Sequence, residues 1–124
     1  MKIYVVSIEE EKSPRLRKFL SQNFFEQGTL PITKIGIKGG ELSAKEYFEK
    51  GVKGRSKPLT PAELGCTLSH LSALENFLET NEELALIFED DAILSNELNF
   101  KDLEKELKNF NLPKNILFSL GGIQ

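Results

Sequence analysis

Three consecutive carboxylates, Glu89-Asp90-Asp91, end the apolar run Leu84-Ala85-Leu86-Ile87-Phe88. Like charges so close together repel, and a divalent cation is the obvious group to hold them. Hard cations such as Mg2+ and Mn2+ take oxygen ligands, commonly one or two carboxylates plus substrate phosphates, so the cluster suits a metal-diphosphate site. In extended backbone Glu89 and Asp91 share one side and can hold the metal, while Asp90 faces another group such as a ribose hydroxyl. Acids that simply cap a turn after a strand account for the same cluster.

Other chemistry-bearing residues each have two readings. His70 is the sole histidine; on an apolar helix face it is either a hydrogen-bonded core residue or an acid-base group. Glu63 has a sufficient local task as the acid of a capping box, and Cys66 reads as core. Arg15 and Arg17 stand in the first helical turn beyond the opening strand, where each either reaches a phosphate at that strand's end or is solvated. The basic, glycine-rich stretch from Lys50 to Pro58 is a mobile connector or a loop that closes on an anion, without Walker spacing.

The elements that must position these residues follow from periodicity. Ile3 to Ile8 is a short β-branched run bounded by charge, as in a strand buried on both faces of a parallel sheet. Ser13-Pro14 opens a helix carrying Leu16, Phe19, Leu20 and Phe24, with Gly28 as its stop. Ile32 to Ile37 reads as a second strand ended by Gly39-Gly40, and a short helical piece covers 44–49. Thr60-Pro61-Ala62-Glu63 is a capping box that starts a helix to about Thr80. Its apolar stripe is Leu64, Leu68, Leu71 and Leu78, with Cys66, Ala73 and Phe77 on an adjoining one, its polar side Ser69, Ser72, Asn76 and Glu79, and Glu63, Thr67 and His70 lie within the apolar arc and need partners. A strand over 84–88, a helix over 100–110 and a last strand from Ile116 to Leu120 complete the chain. The alternation predicts an α/β fold, a mainly parallel Rossmann-like sheet with helices on both faces and ligands at the strands' carboxyl ends.

At 124 residues, 40% hydrophobic and 28% charged, the chain fits one domain with a core of its own. A net charge of -3 argues against nucleic acid as partner. One cysteine precludes an internal disulfide, and one cysteine with one histidine falls short of the usual zinc ligand count, which places the chain in the cytoplasm. The opening apolar run is too short for a signal peptide, and no stretch nears the roughly 20 residues of a transmembrane helix; a basic, peripheral membrane contact stays open.

Val5-Val6-Ser7-Ile8 with Ser13-Pro14-Arg15-Leu16-Arg17, then 59–70 with its Glu63-Leu64-Gly65-Cys66-Thr67-Leu68-Ser69-His70 core, then Leu86-Ile87-Phe88-Glu89-Asp90-Asp91-Ala92, together resemble glycosyltransferase family 25. These are enzymes of bacterial lipooligosaccharide biosynthesis, many of them galactosyltransferases. The resemblance covers nearly the whole chain, and its most specific parts are the Glu-x-Gly-Cys-x-Leu-Ser-His helix and the Glu-Asp-Asp-Ala strand end. It implies the nucleotide-sugar-binding half of a GT-A-type fold, with Glu89-Asp90-Asp91 where such folds carry an Asp-x-Asp-like motif. The implied cofactor is Mn2+ or Mg2+ and the implied donor a UDP-sugar. Ser7, Arg15, Arg17 and Asp90 are then placed near the nucleotide, and Ser69 and His70 near the floor of the site, with His70 as catalytic residue.

By the same resemblance the expected reaction is transfer of a hexose, galactose, to a saccharide acceptor of lipooligosaccharide, in the cytoplasm at the periphery of the inner membrane. Family members are expected to continue past Gly121 into the acceptor site and base, which makes 1–124 a single truncated domain. A non-catalytic nucleotide-sugar-binding remnant is the second reading. A phosphoacceptor receiver domain is the third, though the acids lie in the wrong order for it. A terminal strand at 116–120 would leave a sheet edge and an apolar face uncovered, which predicts a twofold homodimer.

Overall fold

The computed structural model describes residues 1–26 and 30–119. At its centre lies β1 (Lys2–Val6), in which Ile3, Tyr4 and Val5 are all but excluded from solvent. A strand apolar on both faces needs neighbours on both edges and cover above and below. β2 (Ile32–Ile35) and β3 (Ala85–Glu89) supply the edges, both parallel to β1, in the order β2-β1-β3. The register sets Ile3 beside Ile32 and Leu86, and Val6 beside Ile35 and Glu89.

One face of the sheet is covered by α1 (Pro14–Leu20), a 3-10 turn (Asn23–Glu26) and α4 (Phe100–Asn109). Ile3, Phe24, Leu86 and Leu103 form one buried cluster there, and Val5, Leu16 and Phe19 a second. Phe24 meets Phe88 edge-on at 5.7 Å between ring centroids, an arrangement in which ring quadrupoles attract. The expected single helix from Pro14 is thus two pieces, with Phe24 on the 3-10 turn; its expected stop, Gly28, lies outside the described residues. At the start of β1 the Met1 ammonium donates to Glu104 of α4 at 2.9 Å and pairs with Glu82 at 3.3 Å. That contact ties the central strand to the last helix.

The opposite face is covered by α3 (Pro61–Leu78), which begins with the expected capping box: Thr60 and Glu63 exchange hydrogen bonds between side chain and backbone. Its buried side corrects the sequence reading. Leu64, Gly65, Ser69 and Ala73 face the sheet, whereas Leu71 is 49% and Leu78 80% exposed. The physical reason is close approach. A Cβ on Gly65 would stand 2.6 Å from both Gly39 N and Ile37 O, and one on Gly39 would stand 1.6 Å from Pro61 O. Small residues recurring every fourth position let the helix sit against the turn after β2, and Leu71 and Leu78 are turned outward. Asn76, expected on the polar side, accepts the Tyr4 hydroxyl at 2.7 Å.

Between β2 and α3 the chain forms α2 (Ala44–Tyr47), which runs into a π-helical turn (Phe48–Val52). The basic stretch beyond it is tied down by Leu59 N–H to Gly51 O at 2.9 Å and by the Arg55 guanidinium to Lys50 O. The run 116–119 is not a strand, and Ile116, Leu117 and Phe118 are exposed. An apolar run alone does not specify a strand; here it follows Asn115 in a left-handed conformation, φ 61°, and misses the sheet edge. Residue 120 lies outside the described residues. The expected mainly parallel sheet with helices on both faces is present, with three strands among the described residues.

The Gly65 contact gives a first prediction. Gly65→Ala must push α3 off two backbone atoms and should destabilise the fold by about 3 kcal/mol, whereas Leu78→Ala on the outer face should stay within about 0.5 kcal/mol. Urea midpoints of the two variants check this.

Candidate functional site

With β2 on one side of β1 and β3 on the other, the sheet has a switch point between β1 and β3. Ligands of such sheets bind outside the carboxyl ends of the strands at that point. The residues there are Ser7, directly after β1, and the acids that end β3.

Ser7 is 3% exposed and fixed by its backbone: its N–H donates to Ile35 O at 3.0 Å, and its carbonyl accepts from Lys34 Nζ at 3.5 Å. Its hydroxyl donates to Asp90 Oδ2 at 2.6 Å and accepts the Glu9 N–H at 3.1 Å. The other Asp90 oxygen accepts from Arg15 Nε at 3.1 Å and Nη2 at 2.9 Å. The Asp90 side chain is 10% exposed, so this forked, charge-assisted contact supplies the partner a carboxylate withdrawn from water requires. In return the Asp90 hydrogen bond holds the Arg15 pKa above its ordinary value.

Asp91 does not stay with Glu89. Ala92 N–H donates to Glu89 O at 3.1 Å, a turn that breaks the extended backbone and brings the Asp91 carboxylate to 4.0 Å from Arg15 Nη2, 67% exposed. Glu89 points to the opposite face, toward α3, as strand alternation requires. Its Oε1 accepts from His70 Nε2 at 3.0 Å and from the Cys66 thiol at 3.7 Å. A carboxylate only accepts, so the hydrogen of His70 is assigned to Nε2. The three residues expected to need partners on α3 have them: Glu63 in the capping box, Thr67 Oγ1 on Glu63 O at 3.0 Å, and His70 on Glu89.

The structure therefore gathers Ser7, Arg15, Asp90 and Asp91 on one side of the β3 end and Glu89, His70 and Cys66 on the other. Arg17 stays apart, exposed on α1 about 200° around the helix from Arg15. Ser69 is 1% exposed, and its hydroxyl donates to Gly65 O at 2.7 Å and accepts the Ile37 N–H at 2.8 Å. It joins α3 to the turn after β2. Cys66, expected in the core, is exposed beside Glu89. Gln22 had no mark in the sequence, yet its amide grips Ala92 O at 3.1 Å and Leu94 N–H at 2.7 Å and so fixes the chain leaving the acids. The signal that could have found Cys66 was its spacing of four from His70 on one helix face.

Oxygen donors of the kind a hard divalent ion takes are present, but they lie on opposite sides of the β3 end. Asp91 presents an exposed carboxylate beside the switch point, Glu89 is half exposed, and both offer only oxygen.

The family model described as "Glycosyltransferase family 25 (LPS biosynthesis protein)" matches residues 1–123. A protein named "Glycosyltransferase 25 family member" from Aedes aegypti is 31% identical over 97 residues, which is 72% of this chain and 16% of that protein. A namesake from Anopheles gambiae is 28% identical over 98 residues, with the same coverage. The chain thus spans about a sixth of the length of these relatives. No solved structure matches it significantly.

Around Cys66 the electrostatics are testable directly. Burial of the sulfur, then the charge of Glu89, push the thiol up from its ordinary 9.0. Since only the thiolate reacts, alkylation by iodoacetamide should have its midpoint above pH 9 despite the exposed position. Glu89→Gln should lower that midpoint and speed the reaction at pH 8.

Proposed function

The chain belongs to glycosyltransferase family 25, and we propose that it forms the donor-binding part of an enzyme that transfers a hexose, galactose, from a UDP-sugar to a saccharide acceptor of lipooligosaccharide. The observation that carries this reading is Asp90, withdrawn from water at the switch point and held by Ser7 and Arg15. Such an arrangement preorganises a cation and a hydroxyl around one end of the parallel sheet, where nucleotides bind in folds of this kind.

In this reading, which takes the sheet as the nucleotide-sugar-binding half of a GT-A-type fold, each residue has a task. Arg15 offers its remaining guanidinium hydrogens to a phosphate, Arg17 adds positive charge on the same helix, and Asp90 keeps lone pairs for a ribose hydroxyl. Ser7 sets the position of Asp90, and Ser69 that of the floor. Glu89 and Asp91 would hold Mn2+ or Mg2+, which when bound neutralises the departing diphosphate. His70, oriented by Glu89 through Nε2, keeps Nδ1 to accept the proton of an acceptor hydroxyl. Work on a lipooligosaccharide acceptor sets the protein in the cytoplasm at the periphery of the inner membrane. No described helix is long and apolar enough to cross a membrane. For the exposed Leu71, Leu78 and Ile116 to Phe118, a twofold homodimer is the cover we expect. A sedimentation profile that stays monomeric at micromolar concentration overturns that.

The second reading is donor binding without transfer, and the same sample decides between them. Calorimetry should show UDP-galactose bound at least tenfold more tightly with Mn2+ than without, about 1.4 kcal/mol. Asp91→Ala should abolish that synergy. Absence of UDP-sugar binding overturns the function, equal synergy in Asp91→Ala overturns the metal role, and binding without product formation selects the second reading.

A further inference from the structure

We propose that Cys66, His70 and Glu89 form a site for a borderline-soft divalent cation, Zn2+, with its remaining coordination position open to water or an oxygen ligand. Cys66 and His70 stand one turn apart on α3, and the end of β3 sets Glu89 against both. The Cys66 sulfur, a His70 nitrogen and a Glu89 oxygen all lie within 4.8 Å of one another, with Nε2 to Oε1 at 3.0 Å and Sγ to Oε1 at 3.7 Å. Tetrahedral zinc with bonds of about 2.0–2.3 Å spaces its ligand atoms about 3.3–3.6 Å apart, so small side-chain rotations bring the three to coordinating distance. Counting cysteine and histidine alone gives two donors; the strand supplies the third. Three protein ligands and an open position are the usual complement of a zinc site that is not purely structural.

The ligand types select the ion. Thiolate with imidazole suits Zn2+, whereas Mg2+ and Mn2+ prefer the all-oxygen set offered by Asp91. Binding breaks the Cys66 S–H bond, forms a sulfur–zinc bond and releases the proton to solvent; His70 binds neutral through Nε2, its hydrogen moving to Nδ1. Affinity must therefore rise with pH. Zinc takes the place of the His70–Glu89 hydrogen bond, so an occupied site leaves His70 unable to accept a proton at Nδ1. The proposal does not depend on the donor reading: Glu89 is common to both sites, but Asp91 belongs only to the oxygen pair.

The test uses the full chain freed of metal with a chelator and titrated with Co2+ and Zn2+ alone. A cobalt–thiolate charge-transfer band in the near ultraviolet should appear, and Zn2+ should displace it. Cys66→Ser should remove the band, and Cys66→Ser, His70→Ala and Glu89→Gln should each weaken Zn2+ binding by about 100-fold or more. Asp91→Ala should keep both band and affinity. Circular dichroism of each variant checks that it folds; Cys66→Ser, at an exposed position, supplies the decisive comparison. Cobalt binding without the band, or unchanged Zn2+ affinity in Cys66→Ser, overturns the proposal.

Discussion

A carboxylate set at the end of a buried parallel strand must be neutralised where it stands. Asp90 is that group, and its two oxygens are taken by a hydroxyl and a guanidinium from the first strand's end and the first helix. The contact joins segments 75 and 83 residues apart in sequence, as the pairs Arg15–Asp90 and Ser7–Asp90 show. Removing Arg15 leaves a carboxylate only 10% exposed without its charged partner, and a charge withdrawn from water needs one. The placement of α1 on the sheet, the turn that carries Asp91, and the Gln22 clamp on Ala92 and Leu94 all conform to that pairing.

The two faces of the sheet divide the chemistry. Strand alternation sends Asp90 toward α1 and Glu89 toward α3, so adjacent acids enter unlike surroundings: one is paired with a permanent cation, the other with an imidazole and a thiol. Three acids in sequence thus do not act as one cluster. Like-charge repulsion is relieved by geometry, with Arg15 placed between Asp90 and Asp91 and Glu89 turned away.

Much of this was legible in the sequence where local rules dominate. The capping box at Thr60 and Glu63, the β-branched first strand and the opposite facing of Glu89 and Asp90 depend on nearest neighbours and strand period, and they appear as read. The buried side of α3 was legible at Leu64 and Ala73 but not at Gly65 and Ser69, because periodicity assumes that large apolar side chains face inward. Here Gly65, Ser69 and Ala73 do so, since the helix lies against backbone, and that demand is made by Gly39 and Ile37 far away in sequence. The last strand failed for a related reason: 116–119 has the composition of a strand, but composition does not bring it to a sheet edge. Asp91 was misplaced with Glu89 because a single turn hydrogen bond, Ala92 to Glu89, outweighs the extended geometry assumed for it.

The position of β1 in the sheet also bears on how the chain is made. Its first neighbour, β2, begins at Ile32, but its second, β3, begins only at Ala85. A ribosome adding about 5–20 residues per second therefore exposes the completed β1–β2 pair for several seconds before the missing edge emerges. During that interval Tyr4 and Val5 have neither β3 beside them nor their full cover. Because parallel pairing over such separations is slow to close, the nascent chain needs shielding from its neighbours on the same messenger. Until β3 emerges, one edge of β1 is open to pairing with a strand of another chain.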